Sequence, residues 1–542
     1  MTHGVRSDAG ALCPCGSGLE FVQCCAGREF EMAARRHDFA RGELENGRPA
    51  AAVKALKQAL ALVPTRASAH NDLGLALKDL GRFDEAERAH CDALALDPTY
   101  ALAHQNLGEL LRRRGALKDA RHCFERALRL NPALNQSRLD LGRVLEDLGE
   151  LGPAARCYED ALERSSAPAG IYGLLGAVLW KLGDSLRALQ AFERAVAGAP
   201  GSAEAHYNLG SAQLELERLD VAERSAQEAL RLRPGFSEAL MLRAAAVAAL
   251  GMLDTAVELL QTRGGPDVTA APIASTAQRY LLLATRLMNS RLFDSARRCL
   301  EAALREDPSE VMADHLLSAL SGANPEHPKE GYVRQLFDAS AATFDRDLVS
   351  KLGYDIPRVM VQALLEVGGV PEVRWNALDL GCGTGLVGEQ IAPYCHRLVG
   401  VDLAPNMIAR SRARGLYTDL HCAELLAALA LEETKEERFD VVTAADVFIY
   451  VGKLEAVIAA IRRVLSPGGW FAFSAEAVES IPGATSAEYR LGVMGRYAHG
   501  AEYIRCLAAQ NEFDIKLLRP TRIRFEHRRP VGGWLTVWRS LH

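Results

Sequence analysis

Asp379-Leu380-Gly381-Cys382-Gly383-Thr384-Gly385 is the run that decides the fold of the second half of this chain. The short apolar lead-in Asn376-Ala377-Leu378 reads as a strand, the glycines as a turn, and Leu386-Val387-Gly388 as the opening of a helix. Glycine reaches backbone angles that other residues resist and lets a ligand lie against the main chain. Such a turn at the carboxyl end of a parallel strand is where nucleotide-like ligands bind in open α/β sheets. The acid bears on which ligand. A dinucleotide would bring a pyrophosphate, which a carboxylate repels. S-adenosylmethionine brings an ammonium and a sulfonium and no phosphate, so Asp379 suits it better. Gly383-x-Gly385-x-x-Gly388 also satisfies the dinucleotide fingerprint. Asp402 follows Gly385 by 17 residues, at the end of Leu398-Val399-Gly400-Val401, and would hold ribose hydroxyls in either reading.

Outward from this turn, 542 residues imply several domains. An apolar content of 49% with 24% charged residues is ordinary for soluble globular protein. A net charge of −6 gives no general reason to expect a nucleic-acid or membrane partner. The Ala-rich run from Ala244 to Leu260 comes closest to a spanning helix, but Asp254 and Glu258 interrupt it. The polar N-terminus lacks a signal-peptide core, so the expected place is the cytoplasm.

Four of the twelve cysteines crowd the start of the chain: Cys13, Cys15, Cys24 and Cys25. In a reducing compartment a tight cluster suggests metal rather than disulfides. Two close pairs across a short loop can set four thiolates around one tetrahedral ion, and the metal would supply the folding energy. Cys13-Pro14-Cys15-Gly16-Ser17-Gly18 followed by Cys24-Cys25 resembles the SEC-C motif, a small zinc-binding module of chain ends, here residues 10–28. The intervening Leu19-Glu20-Phe21-Val22-Gln23 has no lysine, so a nucleic-acid role is not expected of it.

The middle of the chain repeats itself every 34 residues. Leu73-Gly74, Leu107-Gly108, Leu141-Gly142, Leu175-Gly176 and Leu209-Gly210 share one register with Ala86, Ala120, Ala154, Ala188, Ala222 and Ala256. Pro64, Pro98, Pro132, Pro200 and Pro234 mark helix ends. Small residues at fixed spacing let helices approach closely. The pattern is similar to tetratricopeptide repeats, about eight of them over residues 33–310. The resemblance implies an all-α superhelix with a concave groove for a protein or peptide. Asp72, Asn106, Asp140, Leu174, Asn208 and Leu242 would face the groove, the polar ones bonding an extended backbone. Residues 311–330, with Asn324, Pro325 and Pro328, read as a linker.

Beyond the linker, apolar runs at 376–380, 398–402, 418–422, 439–445 and 469–475 alternate with helices, and two late runs near 513–525 and 531–538 form a hairpin. This predicts a parallel sheet with an antiparallel edge and helices on both faces. Residues 331–542 resemble class I S-adenosylmethionine-dependent methyltransferases, with a Rossmann-like, seven-stranded mixed sheet. More closely, the chain resembles methyltransferases that carry tetratricopeptide repeats upstream. Tyr332-Val333-Arg334-Gln335-Leu336-Phe337-Asp338, Phe344-Asp345 and Leu352-Gly353-Tyr354 match the cap region of that group. The resemblance implies that Asp379, Gly381, Cys382, Gly383 and Gly385 cradle the methionine part of the donor. It implies that Asp402 takes the ribose, Leu403 and Met407 border the adenine, Glu424 receives the adenine amino group, and Asp446 stands near the methyl.

A sulfonium methyl is already activated, so transfer needs mainly alignment, and a base only if the nucleophile arrives protonated. Asp446 and Tyr450 are the catalytic candidates, with Glu476 and His499 behind them. The fourth strand lacks an Asn-Pro-Pro-Tyr sequence, which disfavours adenine-N6 methylation of nucleic acid. Arg519, Arg522, Arg524, Arg528 and Arg529 read as a solvated hairpin. The expectation is a methyltransferase acting on a protein recruited by the repeats. The alternatives are a small-molecule methyltransferase whose repeats serve assembly, or a repeat scaffold with a vestigial donor site.

Overall fold

The computed structural model describes residues 25–261, 275–329, 331–341, 344–345, 353–435, 437–478, 488–526 and 529–541. The chain divides between Leu209 and Gly210 into two compact units. In the first, helices succeed one another in pairs: Cys25–Glu45 with Pro49–Leu62, Ala67–Asp79 with Phe83–Leu96, Ala101–Arg113 with Leu117–Leu130, Asn135–Asp147 with Leu151–Leu162, and Ala169–Leu182 with Ser185–Gly198.

The 34-residue period has a steric origin. A Cβ on Gly74 would lie 2.5 Å from the His90 ring, and one on Gly142 would lie 2.5 Å from Tyr158. From the second pair on, the first helix omits a side chain where the second inserts a ring, and His90, Phe124, Tyr158 and Phe192 occupy that slot in turn. Ala86, Ala120, Ala154 and Ala188 are fully buried, where any larger group would push the helices apart. The prolines stand just past the second helix, as Pro64 does after Leu62, and their carbonyls pair with a side chain six residues on, as in His70 with Pro64 and His104 with Pro98.

The groove positions differ from expectation. Asp72 pairs with His37 at 2.7 Å, Asn106 donates to Asn71 at 2.9 Å, and Asp140 accepts from Gln136 and Arg143 at 2.9 and 2.6 Å. Asp72 and Asn106 tie neighbouring helices together and Asp140 is held within its own helix, because a half-buried carboxylate or amide needs a partner inside the fold. Leu242 is fully buried. The first helix opens at Cys25, within the span expected for the zinc element; Cys13, Cys15 and Cys24 lie outside the described residues, and so does the Cys25 side chain.

The second unit contains the helices Leu219–Leu232, Ser237–Ala249, Leu253–Gln261, Thr276–Asn289, Phe293–Glu306 and Val311–Leu320, and then a sheet. Its strands are β1 (Trp375–Leu380), β2 (Cys395–Asp402), β3 (Asp419–Cys422), β4 (Phe439–Ala444), β5 (Leu465–Ala477), β6 (Tyr489–Leu491), β7 (Tyr497–His499), β8 (Phe513–Glu526) and β9 (Arg529–Ser540). β3-β2-β1-β4-β5 run parallel; β9 joins β5 antiparallel and β8 pairs β9. This is the expected seven-stranded mixed sheet. Period-two alternation sorts its faces. Leu378, Leu380, Phe471, Phe473 and Trp538 enter one apolar cluster, while Ala377, Ala472, Leu535 and Val537 enter another.

Two short strands were not expected. β6 and β7 form a hairpin whose second strand pairs with the end of β5 at Glu476 and Ala477. Three residues apiece carry too little alternation to register as a pattern. The expected linker is also built into the fold. Asn324 donates to the Tyr489 carbonyl and accepts from the Leu491 amide, the Lys453 amide donates to the Glu326 carbonyl, and His315 stacks on Tyr332 while pairing with the Gly495 carbonyl. An Asn-Pro segment reads as a loop in sequence, but here its polar groups satisfy a sheet edge. Among the described residues no helix is long and apolar enough to cross a membrane.

Candidate active site

The sheet order reverses between β2-β1 and β4-β5, which leaves a crevice at the carboxyl ends of the strands. A cavity of about 750 Å³ lies there. Gly381, Cys382, Gly383 and Thr384 line one side with Asp402 and Leu403, and Ala423, Glu424 and Leu425 continue it. Asp446, Val447, Tyr450, Tyr354 and Arg524 line another part. Val333, Arg334, Phe337 and Phe344 of the cap contribute, as do His327, Pro328 and Lys329 of the former linker.

The glycine turn is needed as such. Gly381 has a φ of 62°, and a Cβ on it would meet Val447 at 2.5 Å. Gly383, with a φ of 53°, would meet nothing nearer than 4.0 Å, so its main chain lies open. Gly385, at 95°, begins the helix Leu386–Ile391 and is not part of the lining. Cys382 lines the cavity, but burial raises its thiol well above the ordinary range, which leaves it a packing group rather than a nucleophile.

Asp402 ends β2 with both carboxylate oxygens fixed. Oδ2 accepts from the Gly383 amide and Oδ1 from the Ala404 amide, each at 2.9 Å. Burial raises its pKa while those amides lower it. Each oxygen keeps a lone pair for a further donor.

Asp379 sits differently from the reading of the sequence. It is buried and does not line the cavity. Its Oδ2 accepts from the Tyr417 hydroxyl at 2.7 Å and its Oδ1 from Thr443 at 2.9 Å. Burial pushes its carboxyl up to about 7 against those two bonds. It therefore braces the turn between β1, β4 and the segment before β3, and does not face a guest directly. Met407 is fully buried against Ala341 and Ala404, also away from the cavity. Glu424 lines the cavity and at the same time caps the helix Leu425–Glu433, accepting from the Ala427 amide at 3.2 Å.

Of the catalytic candidates, Asp446 and Tyr450 line the cavity and Glu476 and His499 do not. His499 is buried against the Gly452 carbonyl, and burial lowers it to about 4. Burial pushes the Tyr450 hydroxyl up to about 12. Arg524 was missed. It reads as one of five solvated arginines, yet it is 4% exposed and pairs with Asp446 and Glu476. Its alternation with Ile523 in β8 offered no warning, because both are buried. Arg519 pairs with Glu366 at the surface, Arg522 is exposed, and neither Arg528 nor the side chain of Arg529 is among the described residues.

Comparison with known proteins matches residues 378–473 to the methyltransferase domain family. Residues 37–101, 101–134, 139–203, 174–235 and 207–268 match tetratricopeptide repeat models. The chain is 33% identical to Nodulation protein S of Rhizobium tropici over 101 residues, which is 18% of this chain and 42% of that protein. It is 30% identical to the Ubiquinone biosynthesis O-methyltransferase of Xanthomonas oryzae pv. oryzae (strain PXO99A) over 167 residues, 30% of this chain and 62% of that one. The chain thus spans less than two thirds of these relatives' length. Among solved structures, the N-methyltransferase NodS from Bradyrhizobium japonicum WM9 in complex with S-adenosyl-L-homocysteine aligns at 19% identity and a TM-score of 0.31, covering 39% of this chain and 99% of that one. YrrB, described as a TPR protein with an unusual peptide-binding site, aligns at 24% identity and 0.32, covering 35% and 97%. The chain joins tetratricopeptide repeats to a methyltransferase domain of the class I fold.

Proposed function

We propose that the sheet domain binds S-adenosylmethionine and transfers its methyl group to a small-molecule acceptor inside the cavity. The observation that carries this is the joining, in one cavity, of the Gly381–Thr384 turn, open at Gly383, and the Asp402 carboxylate to the wall at Asp446 and Tyr450. The donor chemistry suits the residues present. Asp402 can accept two ribose hydroxyls, Leu403 offers an apolar edge to the base, and Gly383 leaves space for the methionine part against its main chain. Glu424 is within the same lining to meet the adenine amino group. The helix after the turn has six residues, and Arg414, the base beside Gly385, is engaged by Asp345 and Glu389, so a diphosphate would find little compensating charge there. When bound, the donor supplies an activated methyl group; the protein's part is to align the acceptor and keep water out.

A small acceptor is favoured over a protein for two reasons. The relatives include an enzyme named for ubiquinone biosynthesis. In addition, Asp72, Asn106 and Asp140, expected to hold a peptide, are engaged with neighbouring side chains. Recruitment of a protein by the repeats is the second reading. Zinc on Cys13, Cys15, Cys24 and Cys25 rests on the sequence alone, and metal analysis of purified protein tests it.

Calorimetric titration with S-adenosylmethionine tests the main reading. Saturable binding is expected, weakened at least about tenfold, or 1.4 kcal/mol, in Asp402→Ala. Binding of NADH in its place, or an Asp402→Ala variant indistinguishable from the parent, overturns it.

A further inference from the structure

After β4 the chain turns through Asp446 with a φ of 58°. A side chain with a Cβ resists that angle, and such angles persist where the surroundings enforce them. The turn carries the Asp446 carboxylate into the cavity wall. Its Oδ2 accepts from Arg524 Nη1 at 3.0 Å. Its Oδ1 is buried and has no hydrogen-bond partner among the described residues. A buried carboxylate oxygen without a donor is costly, and each such oxygen needs a reason.

The surroundings say what kind of donor fits. Arg524 pairs with Glu476 as well, and Glu476 Oε1 also accepts from Arg496 Nε at 3.1 Å. The four charges alternate in sign and sum to zero. This quartet therefore offers one open acceptor atom and no net charge of its own, while Lys329, Arg334 and Lys453 line other parts of the cavity. The lining around it is aromatic. Phe337 meets Phe344 and Tyr450 edge-on, with centroids 5.8 and 5.1 Å apart, and Tyr354 lies in the same wall. Asp446 is also next to the turn that would hold the donor, since Val447 abuts Gly381.

Resting on the reading that this cavity holds S-adenosylmethionine, we infer that the acceptor is a small, largely apolar molecule attacking through a hydroxyl or amine, and that Asp446 Oδ1 takes its proton. The acceptor's oxygen or nitrogen forms a bond to the methyl carbon. The carbon–sulfur bond breaks with its electron pair going to sulfur. The acceptor's proton passes to Asp446 and from there to water. Asp446 is the catalytic residue, and Arg524 positions it from β8, backed by Glu476 from β5 and Arg496 from the turn between β6 and β7.

Burial raises the Asp446 carboxyl to about 6; Arg524 and Arg496 lower it and Glu476 raises it, while the Tyr354 and Tyr450 hydroxyls face it from neighbouring segments. Only the ionised form takes a proton, so turnover rises with pH up to about 6 and is level above it.

The test incubates full-length protein with methyl-labelled S-adenosylmethionine and the low-molecular-mass fraction of cell extract, and sorts the products by stability to base. Base-stable methyl ethers or methylamines are expected. Asp446→Asn should lower turnover by at least about a hundredfold while calorimetry still detects the donor. Glu476→Gln removes a negative neighbour and should move the acid limb to lower pH, a shift that a merely structural role would not produce. Arg524→Lys should keep the limb. Base-labile methyl esters, donor binding with no labelled small molecule, or an Asp446→Asn variant of parental rate each overturn the inference. Should Asp446→Asn fail to fold, an unmoved acid limb in Glu476→Gln overturns it. Failure of the parent to bind the donor sinks the cofactor reading itself, and is thereby distinguished.

Discussion

Gly142 in the repeats and Gly383 in the sheet domain leave out the same methyl group for opposite reasons. A Cβ on Gly142 would strike Tyr158 at 2.5 Å, whereas a Cβ on Gly383 would meet only the Gly381 carbonyl, 4.0 Å away. The first absence makes room for the protein and the second makes room for a guest. Buried polar groups divide the same way. In the repeats, partners lie about one repeat apart, as His37 with Asp72 and Asn71 with Asn106 do, or within one helix, as Asp140 with Gln136 and Arg143 do. In the sheet domain Asp379, Asp446 and Arg524 reach across the sheet to partners 38 to 78 residues distant. A periodic polar pair is a device of packing; a long-range one beside a cavity is a candidate for chemistry.

The largest expected effect tests whether a buried titratable ring in the repeats is filler. His90 fills the slot that Phe124, Tyr158 and Phe192 fill elsewhere, and neither ring nitrogen has a partner among the described residues. Burial, with Lys78 nearby, lowers it to about 4. The unfolded chain binds its proton near 6.5, so the stability this group contributes is present above that pH and is lost as pH falls toward 4. The loss is on the order of 3 kcal/mol over the window. His90→Phe should remove that part of the acid sensitivity, read from urea midpoints of the full chain at pH 7 and pH 4.5. An unchanged pH slope would show that His90 protonation is not a source of the acid sensitivity.

Next come the two glycines themselves. Gly142→Ala should destabilise the chain by about 1–3 kcal/mol, since the Tyr158 ring must yield, and should leave donor affinity alone. Gly383→Ala should do the reverse. It should cost donor affinity about tenfold, or 1.4 kcal/mol, and cost stability only the smaller penalty of a left-handed angle. Paired denaturation and calorimetry on both variants would decide it, and equal effects in both assays would erase the distinction.

How much of this was legible in the sequence follows the same division. The period of 34 residues announces the helix pairs because their contacts are local and identical from one repeat to the next. The order β1 to β5 and the late hairpin are legible because alternation and glycine turns mark each strand. What stayed hidden depends on long-range pairing. Asp379 reads as a ligand-facing acid until Tyr417 and Thr443 are seen to hold it. Arg524 reads as solvated until β8 sets it against Asp446 and Glu476. Asn324 reads as part of a tether until it meets the edge of β6. In each case a residue's neighbours in sequence are silent about a partner that only the sheet brings near.

The smallest effect concerns backbone strain. The turn inside each repeat needs a left-handed residue, and Gly81, Gly115, Gly149, Gly183 and Gly251 supply it. Glu217 holds the same slot with a φ of 57°. No steric gain is visible there, since Glu217 is exposed. Glu217→Gly relieves an angle costing about 1–2 kcal/mol but loosens the unfolded chain by about 0.4–1 kcal/mol. A net gain of about 0.5 kcal/mol should appear as a slightly higher urea midpoint. Asp446 bears a similar angle, 58°, on a side chain that lines the cavity. If glycine at 217 stabilises while turnover is untouched, strain in the repeats is a tolerated accident of sequence. The same angle at Asp446 is then retained for where it aims a carboxylate. If Glu217→Gly instead lowers stability, the slot is held by something other than its angle, and strain at Asp446 loses its value as a marker of function.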